Sequence, residues 1–179
     1  EYVSESNNIL DQYILTKLQD TILMVERHLD DYNTPDACVV VQQFFEILNN
    51  WYIRRSRERF WKKEKDEDKI SAYNTLYTVL LNICKAICPM MPYVTEVIYQ
   101  NLVNTGKEKG FESIHLAEFP RFNTPYGKGV IDQMERVRDA CNAALSIRND
   151  TGIRVRQPLT SVTFVGISSD FIGDELKEL

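Results

Sequence analysis

Apolar residues recur three or four positions apart along most of this chain, which is the spacing of helices that bury one face. One such stripe passes through Phe44, Leu48 and Trp51 and leads into a group of basic residues. Thr34 is predicted to cap this helix, with Pro35 at its first helical position. The same spacing predicts five amphipathic helices, over residues 8–32, from Pro35 into 49–65, and over 70–88, 92–102 and 129–149.

The helical spacing stops after Leu102. The stretch "SIHLAEFP" predicts a short extended segment, and "IRVRQPLTSVTFVG" predicts a strand that starts at Ile153, because apolar residues there alternate with arginines. The fold class is therefore mainly α, a bundle of about five helices with a small C-terminal β element. We place a helix-bundle domain at residues 1–150 and the start of a small α/β or β junction region at residues 151–179.

Composition supports a globular domain, since 44% of the 179 residues are hydrophobic. No apolar run approaches the about 18 residues of a membrane span, so no membrane contact is expected. The opening "EYVSESNN" shows neither an initiator methionine nor a signal peptide, and we expect a domain of a larger protein. Cys84 and Cys88 lie one helical turn apart with no histidine nearby, which predicts reduced, packed thiols in a cytosolic protein rather than a zinc site.

The segment "NNWYIRRSRERFWKKEK", residues 49–65, concentrates positive charge in a chain whose formal net charge is -5. It holds seven arginines and lysines against two glutamates. If the second helix continues through it, Arg54, Arg57 and Trp61 share one face, and we expect Trp51 in the core and Trp61 exposed. The candidate binding residues of this segment are Arg54, Arg55, Arg57, Arg59, Trp61, Lys62 and Lys63.

Guanidinium groups beside an aromatic ring suit RNA, because phosphates take the charge and unpaired bases stack on rings or guanidinium planes. The alternative, about equally compatible with the spacing, is a solvated face whose arginines pair with Asp30, Asp31 or other acids of the bundle. The acidic composition slightly favours binding at this one segment. Arg154 and Arg156, together with Arg148, would extend the surface, although alternating strand residues more often simply face solvent.

Five segments follow one another along the chain: "LDQYILTKL", "NNWYIRRSRERFW", "AYNTLYTVLLNICKAICPMMPYVTEVIYQNL", "ESIHLAEFP" and "IRVRQPL". In this order they resemble the anticodon-binding domain of isoleucyl-tRNA synthetases, which are class I aminoacyl-tRNA synthetases. The first segment departs from the family, since Gln12-Tyr13 replaces the commoner Arg-Trp. The likeness covers nearly the whole chain, and the second segment is its most specific part.

The resemblance implies a domain that binds the anticodon stem-loop of isoleucine tRNA, tRNA(Ile). The residues implied in binding are the seven candidates of the basic segment together with Arg154 and Arg156. The His-Ile-Gly-His and Lys-Met-Ser-Lys-Ser motifs of the family's catalytic domain do not occur in this sequence, and no catalytic or metal-binding residues are assigned. The chain alone is therefore not expected to be an enzyme. Its parent, an isoleucine–tRNA ligase, is expected to use ATP and magnesium, and this chain is expected to bind no cofactor.

The implied partners are tRNA(Ile) and the catalytic domain of the same polypeptide, in a cytoplasmic protein that is a monomer. Two alternatives stay open. One is a helical scaffold for protein interactions, in which the arginines form internal ion pairs. The other is the same domain from a valyl or leucyl synthetase, since these relatives share the Trp-Tyr pair and the Pro-x-x-Pro elbow but not the arginine series.

Overall fold

A computed structural model describes residues 6–105 and 111–163. Its helical architecture confirms the predicted mainly α fold. The α-helices are α1 (Ile9–Asp30), α2 (Thr34–Ile47), α3 (Arg57–Trp61), α4 (Glu67–Ile87), α5 (Pro92–Thr105) and α6 (Gly129–Asp150). A π-helical segment, Leu48–Ile53, lies between α2 and α3, and a 3-10 turn, Ile114–Leu116, follows α5.

The chain divides into two compact units, residues 1–127 and 128–179. This division groups α6 with the residues that follow it, whereas the predicted domain boundary at residue 150 stays a prediction. None of the helices in the described part of the chain combines the length and the apolar character needed to cross a bilayer.

Helix α1 is the centre of the first unit, where it packs against both α2 and α4. Its apolar residues on several sides are enclosed, among them Tyr13, Ile14 and Leu18. Helix α4 in turn packs against α3 and α5. A helix buried on several sides accommodates a charged side chain only if that charge finds partners inside the fold. Asp11, on α1, is such a residue, with 0% of its surface exposed.

Helix α2 begins one residue earlier than predicted. Asn33 is its N-cap, because its side-chain oxygen accepts a hydrogen bond from the Asp36 N–H at 3.4 Å. Thr34 is therefore the first helical residue, and the prediction that it is the cap is wrong. Pro35 lies in the first turn as predicted, where its missing N–H has no intrahelical partner to lose.

The basic segment is not the end of one continuous α-helix, which corrects the sequence prediction. Helix α2 gives way to the π-helical segment, and a turn at Ser56 separates that segment from the short α3. Helix α4 then begins at Glu67, three residues before the predicted start. Asp66 sets this start by accepting a hydrogen bond from the Lys69 N–H at 2.8 Å.

The segment around Ile114 was predicted to be extended, but it forms a 3-10 turn. The Glu96 carboxylate causes this curvature, because its Oε2 accepts hydrogen bonds from the Ser113 hydroxyl and the Ile114 N–H, both at 2.9 Å. The turn lets Ile114 pack with Cys84 and Tyr99 in a small apolar cluster.

The four cysteines are unpaired thiols. Burial raises the pKa of the Cys84 thiol to about 11, which agrees with the predicted packed, unreactive cysteine. Cys88 is half-buried, and burial also raises its pKa. Cys38 differs, because it is exposed on α2.

In the second unit, residues 151–163 form turns and bends rather than the predicted strand. The part of that prediction beyond residue 163 lies outside the described residues. Arg148 explains the local shape, because its Nη1 donates to the carbonyl oxygens of Arg154 at 3.1 Å and Gln157 at 2.8 Å. One guanidinium group thus gathers carbonyls that a strand would direct towards a neighbouring strand.

Candidate nucleic-acid interface

The buried face of the basic segment differs from the one that the sequence pattern predicted. After Leu48 it passes through Tyr52, Ser56 and Arg59, all of which are buried. Trp51 is half-buried, with its ring nitrogen shielded from solvent, so its predicted place in the core is confirmed only in part. The Arg55 guanidinium carbon lies 4.0 Å from the centre of the Trp51 ring, a cation–π arrangement at the edge of the segment.

Arg59 is a residue of the fold interior, with 8% of its surface exposed. Its Nη1 and Nη2 donate to Oδ1 and Oδ2 of Asp11, each at 2.8 Å, which is a bidentate pair. Its Nε donates to Oδ1 of Asp68 at 2.8 Å. The expectation that Arg59 faces solvent and RNA is therefore wrong, because its donors are used to neutralise carboxylates of α1 and α4.

Asp11 also accepts hydrogen bonds from three hydroxyl groups. The Tyr52 hydroxyl donates to its Oδ1 at 2.8 Å, and the hydroxyls of Ser6 and Ser71 donate to its Oδ2 at 2.7 and 3.2 Å. The buried carboxylate is thus bonded to groups from the π-helical segment, α3, α4 and the residues before α1. A buried charge is tolerated when it is paired and its remaining lone pairs are satisfied, as here.

These contacts shift two pKa values upward. Burial raises the pKa of Tyr52 well above its ordinary value of 10.0, and the adjacent Asp11 carboxylate raises it further. For Arg59, burial alone would lower the pKa, but the hydrogen bonds to Asp11 and Asp68 outweigh it and raise the pKa. Both shifts favour the state in which Tyr52 is neutral and Arg59 is charged.

The opposite side of the segment stays available to a ligand. Arg54, Arg57 and Lys63 are exposed, and none of them forms an ion pair within the described residues. Trp61 is 77% exposed, which confirms its predicted position at the surface. Three cations and an indole ring thus lie on one short segment, which is the combination that phosphates and unpaired bases require.

Lys62 is exposed, but it lies close to acidic side chains. Its Nζ lies 3.3 Å from Oδ2 of Asp66 and 3.9 Å from Oδ2 of Asp68, and all three side chains are partly exposed. Such surface pairs are weak, so a phosphate can compete with these carboxylates for the ammonium group. Asp30 and Asp31, the acids proposed from the sequence as partners, form no ion pair with the basic segment in the part of the chain that the structure describes.

Arg154 and Arg156 are exposed in the second unit, on the turn-rich stretch that follows α6. They do not alternate along a strand there, and their part in binding stays a prediction. Asp11 was not among the predicted residues. A signal was present, because Asp11 lies three and seven residues before Ile14 and Leu18, on the face of α1 that is buried, where an unpaired charge would be unfavourable.

Comparison with known proteins identifies relatives of this chain. The family described as "Anticodon-binding domain of tRNA ligase" matches residues 11–163. The chain is 46% identical to the isoleucine–tRNA ligase of Wolbachia sp. subsp. Brugia malayi (strain TRS), over 94% of this chain and 14% of that protein. It is 42% identical to the isoleucine–tRNA ligase of Wolbachia pipientis wMel, over 94% of this chain and 15% of that protein. It is 41% identical to the isoleucine–tRNA ligase of Rickettsia bellii (strain OSU 85-389), over 92% of this chain and 16% of that protein. The chain therefore spans about one seventh of the length of these relatives.

The Arg59→Ala variant tests the buried pair. Loss of the guanidinium leaves Asp11 charged and buried, so the free energy of unfolding should fall by about 3–5 kcal/mol. The neighbouring exposed variant Arg57→Ala should change it by less than about 0.5 kcal/mol. Urea unfolding followed by circular dichroism measures both. Arg59→Lys provides a milder change that keeps the charge but not the bidentate geometry, and equal stability of all three variants would contradict the assignment.

Tyr52 makes stability depend on alkaline pH. Its pKa is higher in the folded than in the unfolded chain, so its contribution is complete below about pH 10 and is lost as pH rises further. The free energy of unfolding should therefore decrease between neutral pH and about pH 11, and this decrease should be smaller in Tyr52→Phe. Urea titrations at both pH values measure it. The control is Tyr32→Phe, at an exposed tyrosine, and identical pH dependence in all three proteins would refute the prediction.

Proposed function

The chain belongs to the anticodon-binding domains of tRNA ligases, and we propose that it binds the anticodon stem-loop of tRNA(Ile) as part of an isoleucine–tRNA ligase. The specificity for isoleucine is supported by the relatives described above. They are isoleucine–tRNA ligases, and each matches nearly the whole of this chain. The site is the outward side of the basic segment.

One observation carries this proposal. Arg54, Arg57 and Lys63 present positive charge that carboxylates of the described fold do not neutralise, on the same segment as the exposed Trp61. An anticodon loop offers the complementary chemistry, since its phosphates are charged and its bases are unpaired. The rest of the chain is acidic, which disfavours non-specific attachment of RNA elsewhere.

In the parent protein this domain would act by positioning. Contacts to the anticodon end fix the tRNA in one orientation, so that its other end reaches a catalytic domain of the same polypeptide. Binding energy gained far from the reacting atoms then serves the ATP-dependent aminoacylation. ATP and magnesium belong to that catalytic domain in this proposal. In this proposal the chain binds tRNA and has no catalytic activity, and the parent protein acts in the cytoplasm as a monomer.

A protein-interaction scaffold is the second candidate. The internal ion pair of Arg59 with Asp11 is what such a scaffold would show. Arg54 and Arg57, however, form no such pair among the described residues. The domain of a valyl or leucyl ligase would share the RNA-binding side and differ in the anticodon that it prefers.

Binding of a tRNA(Ile) anticodon stem-loop hairpin to the 179-residue chain tests the proposal. Fluorescence anisotropy over a range of salt concentrations should give a log–log slope of about -0.7 to -0.9 for each phosphate contacted. If Arg54, Arg57 and Lys63 each contact one phosphate, a slope of about -2 to -3 is expected. A hairpin with the same stem and a valine anticodon should bind more weakly.

The two alternatives give other results. No binding, or binding that does not respond to salt, would favour the scaffold. Equal or stronger binding of the valine hairpin would refute isoleucine specificity and leave RNA binding intact.

Variants of the outward side locate the interface. Arg57→Glu should weaken hairpin binding by about tenfold or more, because it removes one phosphate contact and adds repulsion. Trp61→Ala should weaken it by about 1–3 kcal/mol, the range for one stacked base. Both should keep the free energy of unfolding within about 0.5 kcal/mol of the original chain. The matched control is Arg27→Glu, a charge reversal at an exposed position of α1, and an equal loss in this control would show that only net charge matters.

A further inference from the structure

The C-terminal end of α3 is bonded to the first turns of α4. Arg59 donates to the Asp68 side chain and, through Nη2, to the Asp68 carbonyl oxygen at 3.2 Å. The Lys69 ammonium group donates to the Lys62 carbonyl oxygen, which ends α3. The Tyr73 hydroxyl lies 3.4 Å from the Phe60 carbonyl oxygen. The end of α3, which carries the exposed Trp61, is therefore bonded to α4 through the residues on either side of Trp61.

Tyr73 is held in place without being buried. Its ring is 5.3 Å from that of Phe60, centre to centre, at an interplanar angle of 69°. The Lys69 ammonium group lies 6.0 Å from the ring centre. Even so, 50% of the side chain is exposed. A ring that is already immobilised loses little conformational entropy when a ligand stacks on it.

We propose that Tyr73 is a further RNA contact, which together with Trp61 binds an unpaired base at the junction of α3 and α4. This inference rests on the proposed function and names a subsite within it. The ligand is an unpaired nucleotide, because the aromatic ring offers a stacking surface and the Lys69 ammonium group beside it supplies positive charge. Tyr73 lies outside the basic segment, so the sequence pattern gave no reason to include it.

Another exposed tyrosine shows what distinguishes Tyr73. Tyr93, on α5, is 87% exposed. Helix α5 carries no basic residue, and no ring or cation packs against Tyr93 within the described residues. Exposure alone is thus common to both side chains. The aromatic support from Phe60 and the adjacent positive charge belong to Tyr73.

The test uses three variants of the chain: Tyr73→Leu, Tyr73→Phe and the control Tyr93→Leu. Leucine keeps an apolar group against Phe60 and removes the stacking ring, whereas phenylalanine keeps the ring. Tyr73→Leu should weaken binding of the anticodon hairpin by about 5- to 100-fold, with Tyr73→Phe and Tyr93→Leu within about twofold of the original chain. The salt slope should be unchanged in Tyr73→Leu, because no charge is removed.

A structural role for Tyr73 predicts a different pattern. The same stem closed without unpaired bases should bind Tyr73→Leu and the original chain equally if the ring contacts a base. Equal weakening for the hairpin and the fully paired stem would mean that Tyr73 only supports the fold, and it would overturn the inference. Unchanged hairpin binding by Tyr73→Leu would also overturn it, while leaving the proposed function standing. Failure of the original chain to bind the hairpin would refute the function and the subsite together.

Discussion

The bidentate contact between Asp11 and Arg59 is the interaction on which the candidate interface depends. Asp11 lies on the central helix, where a carboxylate without a partner would be strongly unfavourable. Arg59 can satisfy it only if α3 lies against α1 and α4 in one orientation, because both Nη groups and Nε are fixed by acceptors. That orientation also determines the side on which Arg57 and Trp61 of α3 emerge. A contact inside the fold thus sets the geometry of the surface.

Neighbouring arginines of one short segment serve opposite purposes. Arg59 is neutralised by carboxylates in the interior, whereas Arg54 and Arg57 keep their charge in solvent. The difference comes from position, because Arg59 continues the buried line of Tyr52 and Ser56. The charge available to RNA is therefore smaller than the sequence count suggests. The segment that carries it is bonded to α1 and α4 at several atoms.

Periodicity predicted the helices and the exposure of Trp61, because both follow from local spacing. It failed for Arg59, whose partner Asp11 lies 48 residues earlier in the chain. No local pattern reveals such a pairing. It failed in the same way at Ile114, where the Glu96 carboxylate of α5 accepts a hydrogen bond and the segment predicted to be extended forms a 3-10 turn. Tyr73 was missed because Phe60, the ring that it packs against, belongs to another helix. Most of the α-helices were predictable from the sequence, whereas the π-helical segment, the turns of residues 151–163 and the contacts between elements were not.

Stability alone does not explain why an ion pair is buried at this place. A well-packed apolar cluster of similar volume is often as stable as a buried pair, or more so, because both charges must be removed from water. Apolar groups, however, can pack against one another in many relative orientations. A guanidinium group forms a bidentate pair with a carboxylate in only a few orientations. The proposed function, in which cations are held in fixed positions for an RNA hairpin, would gain from that restriction. The Tyr52 and Ser71 hydroxyls strengthen it, because they bond the two oxygens of the same carboxylate from different elements. We therefore interpret the buried network as the device that orients the binding segment, with its contribution to stability as a consequence.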